Sequence, residues 1–176
     1  MKNTVIFKSM VLAFGLLFGL VSAQNISGKS SKVTVAGTSP MHDWTMSASS
    51  ANFSGTVSNG VITNVKFSMP AKNLKSTKGK MMDNKAYSAL KADKNPTISF
   101  TASSLKVGKN TVEGKLAIAG VTKNVSFPVT VAKSGNSYTI TGTESLTLSA
   151  FGMERPGFMG VRTGDGIKVT VTVVAN

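Results

Sequence analysis

Regular alternation of apolar and polar residues is the feature of this 176-residue sequence that most restricts its fold. The clearest example is the set Val125, Phe127, Val129 and Val131, in which each apolar residue is separated from the next by one smaller or more polar residue. This spacing places every second side chain on the same face of a strand, and it is typical of strands with one buried face. Because the pattern recurs along most of the chain, we expect an all-β protein.

Eight segments are predicted to be strands, and most of them are joined by short turns. Their approximate ranges are 32–37, 44–57, 61–69, 98–102, 112–119, 125–131, 138–147 and 167–173. Asn59-Gly60 predicts a type I′ hairpin turn. Consecutive antiparallel strands that close on themselves leave no exposed edge, and an eight-stranded barrel is wide enough to hold one small ligand. We therefore predict an eight-stranded antiparallel, lipocalin-like barrel, with a two-sheet sandwich as the alternative.

One segment departs from the strand pattern. Met82, Ala86 and Leu90 recur at a spacing of four, which places them on one face of a short helix. Asp83 is predicted to be the N-cap of this helix, and Pro96 limits how far the helix extends. A single short helix inserted between two strands is expected to cover one end of the barrel, because its apolar face must pack against something.

The N-terminus is typical of an export signal. Lys2 and Lys8 form a positively charged region before an apolar run, 10–21, that is short for a membrane span, and small residues lead to Ala23. We predict a signal peptide, residues 1–23, cleaved after Ala23, and a single domain, 24–176, in the periplasm or secreted. An uncleaved N-terminal anchor is the alternative. The sequence has no Cys, which excludes disulfides and a lipid-modified cysteine.

The chain is strongly basic, with a formal net charge of +13. Lysines are concentrated in one stretch, at positions 72, 75, 78, 80, 85, 91 and 94. This stretch is either a solvated face or a basic rim that attracts anionic lipid headgroups or a membrane surface. Aromatic residues are not interleaved with these lysines as they are in a strand platform for nucleic acid, so nucleic-acid binding is not predicted.

Catalytic and metal-binding chemistry is poorly represented. His42 is the single histidine, and its neighbour Asp43 does not make the pair a catalytic triad or a zinc site, which needs further ligands. The seven acidic residues form no close pair in the sequence, and no phosphate-binding or dinucleotide motif is present. We predict that the protein is not an enzyme, with no catalytic residue, no metal site and no tightly bound cofactor.

Several motifs, taken in order, resemble a known family. They are His42-Asp43-Trp44-Thr45, Lys80-Met81-Met82-Asp83, Pro96-Thr97-Ile98-Ser99-Phe100, Glu113-Gly114-Lys115-Leu116 and Phe151-Gly152-Met153. The set resembles the YceI-like family, in the form common in Bacteroidetes-type bacteria. The resemblance implies a periplasmic lipid-binding barrel whose pore holds a polyisoprenoid, an isoprenoid quinone or a fatty acid or amide.

The large and soft side chains are the candidates for contact with such a ligand. Methionine adapts to an irregular apolar ligand because it is unbranched and polarizable. The candidates are His42, Trp44, Met46, Phe67, Met69, Met81, Met82, Tyr87, Leu90, Phe100, Phe151 and Met153. The predicted function is to bind a lipid for storage or transport, and the alternative is a structural or interaction module with a solid core. The sequence does not determine the oligomeric state, and a homodimer is among the alternatives.

Overall fold

The structure of the protein, a computed structural model, describes residues 23–176 apart from the side chain of Phe158. Eight strands form a barrel: β1 (Gln24–Gly37), β3 (Asn52–Ser58), β4 (Val61–Pro70), β6 (Thr97–Lys106), β7 (Gly108–Ile118), β8 (Val121–Ser134), β9 (Ser137–Thr147) and β12 (Gly166–Ala175). The shorter elements are β2 (Trp44–Ala48), β5 (Lys75–Ser76), β10 (Gly157–Phe158), β11 (Val161–Arg162), the helix α1 (Lys80–Ala89) and the 3-10 helices Ala71–Asn73 and Ser149–Phe151. Apart from Ala23, the predicted signal peptide lies outside the described residues, and its cleavage stays a prediction.

The barrel is closed by the pairing of its first and last strands. The strand order is β12-β9-β8-β7-β6-β4-β3-β1, and β1 pairs with β12 through partners such as Val33 and Val171. Every pair of neighbours is antiparallel. The predicted eight-stranded barrel is therefore confirmed, and the sandwich is excluded.

The first two predicted strands differ most from their predicted ranges. β1 begins at Gln24 rather than near Lys32, because its first residues pair with β3 and the remainder pairs with β12. The predicted second strand is two strands, β2 and β3, which follow each other along β1. At the break between them the backbone N–H of Ala51 donates a hydrogen bond to Ser31 Oγ at 2.7 Å. A side chain of β1 thus replaces a ladder bond where the strand is interrupted.

The strand register places the long connections at one end of the barrel. Segments 38–43, 71–96 and 148–165 all join strands at the end where Gly37 and Gly166 lie, which we call the helix end. The opposite end, the hairpin end, has tight turns such as Asn59-Gly60, while one further tight turn, Ala119-Gly120, lies at the helix end. Asn59 and Gly60 have φ angles of 50° and 75°, and this confirms the predicted type I′ turn.

The helix end and the hairpin end are filled differently. At the hairpin end, inward-facing side chains such as Ile62, Val131 and Tyr138 are at most 3% exposed and pack into a continuous cluster. A second cluster, which includes Met69 and Leu90, joins the upper strands to the helix segment. Side chains of the first cluster therefore close the barrel interior at the hairpin end.

Helix α1 begins before the position that the sequence predicted. Gly79, with a φ angle of 89°, is the N-cap residue, so the prediction of Asp83 as N-cap is wrong. Asp83 is buried in the first turn, where its carboxylate accepts a 2.6 Å hydrogen bond from the backbone N–H of Ser76 and lies 3.8 Å from Lys75 Nζ. This carboxylate therefore links helix α1 to β5 and does not cap the helix. Within the described residues, no helix is long and apolar enough to cross a bilayer.

Candidate functional site: an apolar cavity in the barrel

A cavity of about 480 Å³ occupies the interior of the barrel. It extends from exposed residues at the helix end, such as His42, to Leu105 and Val112, which are members of the first packed cluster. Other members of that cluster, such as Ile62 and Tyr138, do not line the cavity and close it at the hairpin end. Its volume is within the range of about 300–1,000 Å³ that is usual for small-molecule sites. The barrel is consequently a container that is closed at one end.

The cavity wall is built from the inward-facing residues of successive strands. Two aromatic rings dominate one side, Phe100 and Phe127, whose centroids are 5.4 Å apart. Each ring lies over a glycine: a Cβ on Gly114 would come within 2.5 Å of the Phe100 ring, and a Cβ on Gly142 within 3.0 Å of the Phe127 ring. The missing side chains of these glycines allow the rings to lie against the wall, and the centre of the barrel stays open.

Ten of the twelve candidate residues line the cavity. They are His42, Trp44, Met46, Phe67, Met69, Met82, Leu90, Phe100, Phe151 and Met153. Their contact with a ligand stays a prediction, but the fold does bring them together around one space. They come from the three strands β2, β4 and β6, the loop after β1, helix α1 with its C-cap residue, and the connection after β9.

Met81 and Tyr87 are the two candidates that do not line the cavity. Met81 is 59% exposed on the outer side of α1. The Tyr87 hydroxyl lies 2.8 Å from the carbonyl oxygen of Lys72 and 3.0 Å from that of Leu74, and it accepts a hydrogen bond of 2.6 Å from Lys75 Nζ. Tyr87 therefore anchors the helix to the preceding connection, and neither residue is retained as a ligand contact.

Trp44 and its neighbours shape the cavity mouth. The indole Nε1–H of Trp44 donates a 3.2 Å hydrogen bond to the carbonyl oxygen of Thr38, and the ring lies directly over Gly37. The loop that follows β1 is held by Ser39 Oγ, which donates to the carbonyl oxygen of His42 at 2.7 Å. His42 itself is exposed at the mouth.

The connection between β9 and β12 closes part of the same end. Asp165 Oδ1 accepts a 2.9 Å hydrogen bond from the backbone N–H of Ser149, and Asp165 Oδ2 accepts another from the Ser149 hydroxyl. These bonds hold the pKa of Asp165 below its usual value. Lys91 Nζ donates to the carbonyl oxygen of Gly152 at 3.0 Å, which ties this connection to the helix segment. Phe151, at 2% exposure, is thereby fixed under the mouth.

Glu144 is a charged cavity residue that the sequence analysis did not single out. Among the described residues it is the one acidic side chain that lines the cavity. Burial raises the pKa of Glu144, against a smaller opposite effect of a hydrogen bond from the backbone N–H of Ser145. The signal in the sequence was its position. Every second residue of β9 from Ile140 to Leu146 faces inward, and Glu144 is one of them.

The sequence matches one family model over nearly all of the described residues. The model of the YceI-like domain matches residues 24–175. The chain belongs to the YceI-like family. The resemblance inferred from the sequence motifs is thereby confirmed, while no curated protein is detectably similar to this chain.

Solved structures with the same fold include other YceI-like domains. A polyisoprenoid-binding domain from Saccharophagus degradans has 12% sequence identity and a TM-score of 0.69, and the match covers 86% of this chain and 97% of that one. BcnA from Burkholderia cenocepacia has 20% identity and a TM-score of 0.62, covering 83% and 96%. The YceI protein from Campylobacter jejuni has 18% identity and a TM-score of 0.53, covering 99% and 97%. At these identities the likeness establishes the fold.

The mouth of this YceI-like barrel is basic. Lys78 and Lys85 line the cavity, and Lys85 Nζ donates a hydrogen bond to the carbonyl oxygen of Gly157. Elsewhere in the lysine-rich stretch, Lys72 Nζ lies 2.6 Å from Asp93, which lowers the pKa of that carboxyl. In the part of the chain that the structure describes, no group of three His, Asp or Glu residues could hold a metal ion.

Proposed function

We propose that this YceI-like protein is an exported lipid-binding protein that holds an isoprenoid or fatty chain in its barrel, for storage or transport in the periplasm. The observation that carries the proposal is the apolar cavity of about 480 Å³, which is open at one end and closed at the other. Burial of an alkyl or prenyl chain in such a site contributes on the order of 0.8 kcal/mol per CH₂ group. No catalytic group is needed for this role, and we propose none.

Two further observations support this proposal. One solved structure with the same fold is described as a polyisoprenoid-binding domain. The match to the YceI-like domain also begins at residue 24, directly after the predicted cleavage position. The alternative function, an interaction module with a solid core, is disfavoured because the barrel interior contains this cavity.

Export and ligand content can be tested on the same preparation. We expect the protein to appear in the periplasmic fraction of its own cells and to begin at Gln24 on N-terminal sequencing. Native mass spectrometry of this material should show a bound lipid, which organic extraction and mass analysis then identify. A protein that retains residues 1–23, or one from which no lipid can be extracted, would contradict the corresponding part of the proposal.

The helix offers a matched pair of variants for the cavity. Met82 lines the cavity, whereas its neighbour Met81 is 59% exposed. Met82→Asp should weaken lipid retention at least tenfold, because a charge would enter an apolar site. Met81→Asp should retain lipid as the wild type does. Equal retention by the two folded variants would refute the assignment of the cavity as the lipid site.

We further propose that the helix end docks on an anionic membrane surface. Exposed apolar side chains are concentrated there: Met41 is 70% exposed, Met81 59% and Met159 86%. Lys78 and Lys85 lie at the same end, at the cavity mouth. Near an anionic surface each lysine contributes about 1 kcal/mol of attraction, and the exposed methionines add apolar contact. This arrangement would bring the mouth next to the lipid that it loads or releases.

Vesicle binding tests the docking surface. The protein should sediment with vesicles that contain an anionic phospholipid, and the fraction bound should fall as salt is raised. Met159→Asp should weaken this binding. Val107, which is 44% exposed at the hairpin end, provides the control: Val107→Asp should bind as the wild type does. Binding that depends equally on both positions would contradict a specific docking end.

A further inference from the structure

The position of Glu144 is unusual for a carboxyl group. It lies on the inward face of β9, where the residues two positions away are Gly142 and Leu146. On the neighbouring strand β12 its partner in register is Val169, which also lines the cavity. Glu144 is three residues from the end of β9, or roughly 10 Å along the strand. A carboxyl group therefore lies inside the apolar wall, well below the mouth.

The protein provides few ion-pair or hydrogen-bond partners for the Glu144 carboxyl group. The two ion pairs among the described residues, Lys72–Asp93 and Lys75–Asp83, do not involve it. The carboxyl group accepts a hydrogen bond from the backbone N–H of Ser145, which leaves further acceptor positions on its two oxygens. Isolated carboxyl groups are costly inside apolar sites, and they are usually paired with a donor. The raised pKa of Glu144 reflects that cost.

A second polar group in the cavity has no hydrogen-bond partner in the protein. Thr163, which lines the mouth, has a buried Oγ1 for which the protein offers no hydrogen bond. Glu144 and Thr163 are thus two polar groups facing one largely apolar space. Both would be satisfied by an occupant that carries polar atoms, and a pure hydrocarbon would satisfy neither.

We infer that the bound lipid has a polar group that donates a hydrogen bond, an alcohol, phenol or amine, and that this group is seated against the Glu144 carboxyl group. The inference rests on the proposed function and narrows its ligand. A carboxyl group accepts hydrogen bonds from O–H and N–H groups whether it is protonated or ionised. It repels a carboxylate at short range when both are charged, so the cavity selects against free fatty acids.

Four probes of equal chain length separate these chemistries: a long-chain primary alcohol, the corresponding primary amine, the carboxylic acid and the methyl ether. We expect the wild type to bind the alcohol and the amine more tightly than the acid or the ether. In Glu144→Leu the affinity for alcohol and amine should fall about tenfold, because a hydrogen bond to a carboxyl group in a largely apolar cavity is lost. Affinity for the methyl ether should stay equal or increase.

Glu144→Gln distinguishes a charged interaction from a neutral one. If the ligand is an amine held by the ionised carboxylate, Glu144→Gln should lose amine affinity as Glu144→Leu does and keep most of its alcohol affinity. If the ligand is an alcohol, the alcohol probe and the amine probe should both retain most of their affinity in Glu144→Gln. Glu113→Leu, which changes an exposed glutamate on the barrel exterior, is the control and should bind all four probes as the wild type does.

The outcomes also separate this inference from the proposed function. A wild-type protein that binds all four probes equally, with no change in Glu144→Leu, would overturn the inference and leave lipid binding intact. A wild-type protein that binds none of the probes would overturn both. Circular dichroism and thermal melting of each variant establish that the comparison is made between folded proteins.

Discussion

The contact between Gly37 and Trp44 gives the sharpest test of how the cavity mouth is built. An added Cβ at Gly37 would lie 2.2 Å from Cζ2 and 2.6 Å from Cε2 of the indole ring. Both distances are far below van der Waals contact, so Gly37→Ala must displace the ring. The displacement would also strain the 3.2 Å hydrogen bond from Trp44 Nε1 to the carbonyl oxygen of Thr38.

The expected loss of stability follows from three effects. Overpacking costs about 1–3 kcal/mol, and loss of the indole hydrogen bond costs about 1 kcal/mol. The lower entropy of the unfolded chain with alanine returns about 0.4–1 kcal/mol. We therefore expect Gly37→Ala to lower the free energy of unfolding by about 1–3 kcal/mol, which corresponds to a decrease in Tm of roughly 3–10 °C for a domain of this size.

A double-mutant cycle isolates the cause. Without the indole ring, alanine at position 37 meets no clash, so in a Trp44→Ala background Gly37→Ala should be neutral or slightly stabilising. Gly166→Ala is the matched control, because a Cβ there would have no atom within 4 Å. Urea denaturation of the four proteins of the cycle measures the coupling. An equal cost of Gly37→Ala with and without Trp44 would refute this reasoning.

Three further substitutions test other parts of the structure. Tyr87→Phe should lower the free energy of unfolding by about 1 kcal/mol in urea titrations and leave lipid affinity unchanged, because its hydroxyl bonds the backbone and not the cavity. Ile62→Ala, at 0% exposure in the hairpin end, should cost about 2–5 kcal/mol by the same assay. The pKa of Asp165 is lowered in the folded protein, so its ionised form stabilises the fold. This stabilisation is complete above the usual Asp pKa of about 3.9, and it is lost as the pH falls through the lower pKa of the folded state. Thermal melts across the acid range should accordingly show a smaller pH dependence for Asp165→Asn, and an unchanged dependence would contradict the role of its bonds to Ser149.

Strand alternation predicted the barrel because each strand has one buried face. The same rule could not place the start of β1, since its first residues are mostly small and polar and are held by backbone pairing with β3. It also could not show the break between β2 and β3, which depends on a hydrogen bond between Ser31 and Ala51, residues far apart in the sequence. Local pattern thus predicts which residues face inward, and tertiary pairing decides where each strand begins and ends.

Helix geometry explains which helix residues were placed correctly. Met82, Ala86 and Leu90, which repeat every four residues, do line the cavity. Met81 and Tyr87 are each one residue away from a member of this set, and one residue is a rotation of about 100° around the helix axis. That rotation turns Met81 toward solvent and Tyr87 toward the preceding connection. Side-chain size alone could not separate these residues from those of the cavity-lining face.

Glu144 shows why the chemistry of the cavity was harder to predict than its wall. A search for catalysis looks for acidic residues in pairs, and Glu144 has no acidic neighbour in the sequence. Its role can be inferred only when the inward face of β9 is known. Gly142 and Leu146 lie on that face, so Glu144, which is midway between them, must also point inward. Once the barrel is closed, that register places Glu144 on the cavity wall. An acidic residue on the inward face of a barrel strand is therefore better evidence about the ligand than the many apolar residues around it, because apolar side chains suit a core and a pore equally well.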